Sequence, residues 1–171
     1  GAPDVLHRKD AIGVVALTWS CLGIFGAVPF LVEGSIRHPA SALFEAVSGF
    51  TTTGATVVSD VDGLSRATNL WRCLIHWLGG MGIVVLFVAV FPQLGVGAKH
   101  LFRAEVPGPI TEGLRPKIKQ TALALWWIYS ALTVAAAALL VFAGMPVYDA
   151  ICHAFSTLGT GGFSTKTASV G

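Results

Sequence analysis

Charge is what this 171-residue chain has least of: Asp, Glu, Lys and Arg make up 12% of it, against 54% hydrophobic residues and a mean hydropathy of +0.72. Soluble domains carry about 25% charged residues. Three stretches hold no charged residue at all, 11–32, 73–98 and 120–148. Roughly 20 apolar residues cross a bilayer as a helix, so each is read as a membrane span. The net charge of +2 is too small for a nucleic-acid partner, and none is expected. Cysteine is scarce and scattered: Cys21, Cys73 and Cys152 form no C-x-x-C pattern, which excludes a zinc frame or a disulfide scaffold and leaves small apolar packing residues. No small-residue cleavage site follows 11–32, so it is not read as a signal peptide. Neither G-x-S-x-G nor H-E-x-x-H occurs, His76 and His153 have no second ligand at helical spacing, and "GTGGFSTK" (159–166) misses the phosphate-loop spacing. An enzyme is not expected.

The few charges are unevenly placed. Lys99, Arg103, Arg115, Lys117 and Lys119 crowd the segment between the second and third spans, and Arg8 and Lys9 precede the first. The positive-inside rule puts the N-terminus and this basic segment in the cytoplasm and the 33–72 connection, with Glu33, Glu45, Asp60, Asp62, Arg37, Arg66 and Arg72, outside.

That connection contains "ASALFEAVSGF", an apolar helix of about ten residues with Ser41 as its N-cap, about 15 Å long and too short to span. "TTTGAT" follows. β-Branched threonines and a glycine make a poor helix. Irregular backbone at membrane depth must be wrapped in protein or line a wet cavity. The segment is expected to be a re-entrant loop facing water or an ion; the alternative is a loop lying on the outer surface.

A repeat favours the first reading. Shifted by 108 residues, "ALFEAVSGFTTTGAT" lies over "AICHAFSTLGTGGFS", with Ala42/Ala150, Ala46/Ala154, Ser48/Ser156, Thr52/Thr160 and Gly54/Gly162 identical. Asp149 falls near the position of Ser41, as a second N-cap. The unit is helix, half-helix, loop, helix. The expected organisation is a first unit at 1–98, a basic cytoplasmic linker at 99–119, and a second unit at 120–171 that holds only its first helix and loop.

A half-helix pointing into the membrane ends in free carbonyls and partial negative charge, which favours a cation. Gly54 and Gly162 allow successive carbonyls to turn toward one axis. No carboxylate lies between Ser48 and Ser59, so a divalent ion lacks its usual ligands and a large monovalent ion fits better. Two other details stay open on the residues alone. Gly79, Gly80 and Gly82 form either a hinge or a close-packing site. Glu45 either tunes the outer mouth or is a solvated or arginine-paired side chain.

"FEAVSGFTTTGATV", "WLGGMGIVVL", "LGVG…LFRAEVPGP" and "CHAFSTLGTGGFST" together resemble the Trk/Ktr/HKT superfamily of potassium transporters, in its TrkH-type branch, over about residues 8–171. The resemblance implies an all-α membrane protein: a pseudo-fourfold pore of four helix–pore loop–helix units, of which this chain holds one complete and one partial unit and is read as a fragment. It implies potassium uptake across the bacterial inner membrane through a carbonyl-lined selectivity filter. The residues matched to that filter are Thr52, Thr53, Gly54, Thr160, Gly161 and Gly162. Glycine at position 54, rather than serine, is similar to the potassium-selective members. Potassium is the ion implied, with no organic cofactor. The implied partners are membrane lipid, a second copy in a homodimer, and a cytosolic nucleotide-binding regulatory subunit. The competing readings are a coupled secondary transporter with a broken-helix substrate site and a non-transporting membrane scaffold.

Overall fold

The computed structural model describes residues 8–94 and 118–168. Five helices account for most of them: α1 (Arg8–Glu33), α2 (Pro39–Phe50), α3 (Arg66–Leu94), α4 (Ile118–Phe142) and α5 (Val147–Leu158). No β-strand occurs among the described residues. At 1.5 Å per residue, α1, α3 and α4, with 26, 29 and 25 residues, are about 38–44 Å long, enough to cross a bilayer. The apolar windows at Ile12–Glu33 and Gln120–Phe142 meet the composition of a span, and their outward faces leave Phe25, Val32, Trp127 and Phe142 more than two-thirds exposed. Such faces suit lipid. The 12-residue helices α2 and α5, about 18 Å long, are half-helices as the repeat requires.

Several boundaries differ from the sequence expectation. The charge-free run 120–148 is not one helix: α4 stops at Phe142, the chain turns at Gly144 (φ 97°), and Pro146 precedes α5. Ser41 does not cap α2. The helix starts earlier, at Pro39, whose fixed φ suits the first helical position, with His38 as the cap. Asp149 likewise lies inside the first turn of α5, where its carboxylate accepts the Thr165 hydroxyl at 2.7 Å. Arg66 and Arg72, assigned to the outer connection, belong to the first two turns of α3. The basic segment expected as a cytoplasmic linker falls almost wholly outside the described residues.

α3 packs against all four other helices, while α2 rests on α1 and α5 on α4. Trp71 ties α3 to α1 by donating to the Gly26 carbonyl (3.0 Å), and Trp77 ties it to α4 by donating to Thr133 Oγ1 (2.8 Å). Gly79 and Gly80 make the centre possible. A Cβ on Gly79 would overlap the Phe50 carbonyl at the end of α2, and one on Gly80 would lie 2.8 Å from Gly159 Cα at the end of α5. The packing reading of this glycine pair holds: adjacent residues of α3 admit the tips of both half-helices. At the outer surface the loop after α2 meets the chain after α5. The Thr167 amide and hydroxyl, with Lys166 beside them, hold the exposed Asp62 carboxyl below its ordinary 3.8.

The two half-helices end identically. Thr51, Thr52 and Thr53 amides donate to Val47, Gly49 and Ser48 carbonyls; Gly159, Thr160 and Gly161 amides donate to Phe155, Thr157 and Ser156, the same pattern 108 residues on. This is a Schellman closure, and it places Thr52 (φ 55°) and Thr160 (φ 53°) in the left-handed region where glycine is usual. The terminal carbonyls expected to be free are therefore largely taken by the loop itself, and the Phe50 carbonyl faces Gly79. A β-branched residue in that conformation costs about 1–2 kcal/mol. Thr52→Gly or Thr160→Gly should each stabilise the detergent-solubilised full-length protein by about 1 kcal/mol, once glycine's greater unfolded-state entropy is deducted. The corresponding valine variants should not. A lower melting temperature in the glycine variants would show that these threonines are not strained.

Candidate functional site

Past the closures, residues 51–56 and 159–164 run as irregular strands, and they meet. A Cβ on Gly54 would lie 2.9 Å from the Gly162 amide nitrogen and 3.1 Å from its Cα. Gly54 itself is left-handed (φ 78°), whereas Gly162 is not. The demand on the two glycines is unequal: Gly54 needs both the backbone angle and the missing side chain, whereas a Cβ on Gly162 would come no closer than 3.8 Å to Gly54. A pair of loops splayed apart on an outer surface would not touch here.

The hydroxyls of the first strand turn back toward the protein. Thr51 Oγ1 donates to the Val47 carbonyl and pairs with Thr53 Oγ1, both at 2.8 Å, and Thr56 Oγ1 donates to Glu45 Oε1 at 2.8 Å. Ser48 Oγ donates to the Ala55 carbonyl at 2.5 Å, which ends the run of available oxygens. The main-chain oxygens of residues 51–54 and 159–162 accept no hydrogen bond from the described residues. A carbonyl left without a donor is an expensive group to shield from water, and a cation is one of the few things that can satisfy several at once. Thr52, Thr53, Gly54, Thr160, Gly161 and Gly162 all lie in these two stretches.

Behind the strands is a buried ion pair. Arg72 Nε donates to Glu45 Oε1 at 2.8 Å, with the side chains 1% and 0% exposed. The rest of the guanidinium reaches Asn69 Oδ1 (3.3 Å), Thr56 Oγ1 (3.1 Å) and the Ser164 carbonyl (3.4 Å), and its carbon lies 4.2 Å over the Phe163 ring. The second Glu45 oxygen accepts the Val57 amide at 3.0 Å. One arginine therefore connects α2, α3, the first strand and the second strand. Glu45 is the arginine-paired residue its sequence position allowed, and it is buried and not solvated. His76, one turn along α3, stacks on the other contact of the second strand, with its ring 4.1 Å from Phe163 at an interplanar angle of 13°.

Arg72, Asn69 and Phe163 were not among the residues singled out from sequence. A signal existed: Asn69, Arg72 and His76 recur at i, i+3 and i+7, a polar stripe on one face of an otherwise apolar helix. Its partner, the lone glutamate of a half-helix, gave the other half. Only the fold brings the two within bonding distance.

Comparison with known proteins fits the same architecture. The family profile described as TrkH, cation transport protein, matches residues 5–171. The Trk system potassium uptake proteins TrkH of Salmonella typhimurium and Halomonas elongata are 50% and 49% identical over 168 residues, 97% of this chain. The crystal structure of the potassium transporter TrkH from Vibrio parahaemolyticus superposes with a TM-score of 0.82 at 42% identity, covering 99% of this chain and 33% of that one. The chain spans about a third of the length of the curated relatives it matches (35%). With its paired half-helices, its repeated closures and this match over nearly its whole length, the chain belongs to the TrkH family of cation transport proteins.

Proposed function

We propose that residues 51–54 and 159–162 are two of the walls of a potassium-selective filter, completed in the full-length protein by further units, and that the protein takes up potassium across the bacterial inner membrane. The observation that carries this reading is the run of main-chain oxygens without donors among the described residues, on two strands in backbone contact at Gly54 and Gly162. Carbonyls in such a run can replace the hydration shell of a large monovalent ion. The carboxylate nearest the strands, Glu45, is held by Arg72, so a divalent ion finds no anionic ligand from it. Both strands follow helix C-termini, the cation-favouring end, whereas broken-helix transporters often turn N-termini toward anionic substrates. The role of the relatives, potassium uptake in a Trk system, supports the same ion. The homodimer and the cytosolic nucleotide-binding regulatory subunit implied by the superfamily resemblance complete the proposal.

The strands need a rigid backing, because a loose ring of carbonyls would close on a smaller ion as readily as on a larger one. The Glu45–Arg72 pair supplies it. Removing one partner of a buried ion pair costs about 3–5 kcal/mol, since the other charge is stranded, whereas removing both is far milder. Glu45→Gln and Arg72→Met should each lower the melting temperature of the full-length protein, and the double variant should be more stable than the sum of the two losses. Strict additivity would show that the pair is not coupled.

The filter reading itself is tested at Gly54. A serine there must hold an unfavourable backbone angle and pushes its Cβ into the second strand. Gly54→Ser in the full-length protein should reduce the preference for potassium over sodium uptake by about tenfold, the equivalent of about 1.4 kcal/mol. An unaltered preference in a folded variant would overturn the assignment.

A further inference from the structure

We infer that His76 is a positioning residue for the second filter strand, and that it forms a size-matched pair with Gly161: the imidazole fills the volume that residue 161 gives up. The inference rests on the filter reading above. His76 lies on α3, in the first unit, yet it touches the second unit at three places, one on the half-helix α5 and two on the strand. Its Nδ1 is 3.4 Å from the hydroxyl of Ser156, the residue whose carbonyl receives the Gly161 amide at 2.9 Å. Its ring stacks on Phe163. Between these two contacts, a Cβ built on Gly161 would run into the ring itself, at Nδ1, Cε1 and Cγ. The side chain is fully buried.

The three atoms nearest to a Cβ at Gly161 all belong to the His76 ring. The φ of Gly161 is outside the left-handed region, so an alanine would fit the backbone. The equivalent position of the first strand, 108 residues earlier, is Thr53, which carries a full side chain bonded to Thr51. The repeat diverges at this position because the second strand has an imidazole behind it. The hold is one of shape. Nε2 has no hydrogen-bond partner among the described residues, and the Ser156 contact is long. Neighbouring Gly159 is constrained differently: its Cβ would meet the main chain of His76, at 2.6 Å from the carbonyl oxygen, and no trimming of the side chain relieves that.

The contrast between the two glycines supplies the test. In the full-length protein, rubidium-tracer uptake with potassium or sodium as competitor gives the ion preference, and melting in detergent reports folding. Gly161→Ala should displace the strand and lower the potassium preference about tenfold; adding His76→Ala should bring it back to within about threefold of the wild type. His76→Phe, which keeps a ring, should stay nearer the wild-type preference than His76→Ala. Gly159→Ala should not be rescued by His76→Ala. If Gly161→Ala fails to fold, recovery of folded protein in the double variant supports the pair, and no recovery overturns it. An unchanged preference in Gly161→Ala, no gain on adding His76→Ala, or equal rescue of Gly159→Ala would also overturn it. Should the wild type show no preference for potassium, the filter reading falls. The pair is then judged on the melting temperatures of the same variants, where additive losses reject it and compensation sustains it.

Discussion

The buried contact between Glu45 and Arg72 is the constraint on which the rest of this structure depends. It joins a charge on a half-helix to a charge on a long helix, both shut away from water. Such a pair gains little net stability over an apolar replacement. What it supplies here is connection. The guanidinium offers five donors in a fixed fork, and they go to four different parts of the chain: the half-helix, its own helix, the first strand and the second strand. Lysine, a point charge on a flexible stem, could not serve all four at once. The carboxylate does the same on its side, taking the Val57 amide and the Thr56 hydroxyl as well as the arginine. The two strands are thereby referred to one rigid frame, and their spacing follows from that frame more than from any bond between them.

The consequence is an offset between the sequence repeat and the packing unit. By sequence, α3 closes the first unit. In space it backs the second strand as much as the first: Gly80 admits the tip of α5, and the Arg72 and His76 side chains both lie on Phe163. A half-helix and loop such as 147–164 can therefore be held without a second long helix of its own, because the helix of the unit before it supplies the wall. In a closed ring of such units every strand would be held by two neighbours, and no wall could shift alone.

Much of this was legible beforehand, for identifiable reasons. Long charge-free runs mark spans because the bilayer tolerates little else, and the 108-residue repeat marked the half-helices and strands because both units solve the same problem. The strand residues themselves, with Thr52/Thr160 and Gly54/Gly162 identical, followed from that alignment. What the residues hid was where the helices begin. Prolines set both starts ahead of Ser41 and Asp149: Pro39 is the first residue of α2 and Pro146 stands immediately before α5, and a fixed φ suits the entry to a helix. Arg66 and Arg72 were placed in a loop because a charge normally ends a membrane helix. Here one of them is neutralised by a partner 27 residues earlier, a long-range fact that no window of hydropathy contains.

The left-handed threonines point to a last step. A closure that prefers glycine is built twice with a β-branched residue, at matched positions and with the same three hydrogen bonds. Glycine would relax the turn but would also free the backbone on both sides of it. Threonine restricts the alternatives open to the strand at the point where it leaves the helix. The strain of about 1–2 kcal/mol in each turn exceeds what the restriction returns in stability, so the threonines trade stability for a defined exit from the helix. The glutamate–arginine frame fixes where the strands are, and the two threonine turns restrict how each strand leaves its helix; the filter proposed for these strands would need both.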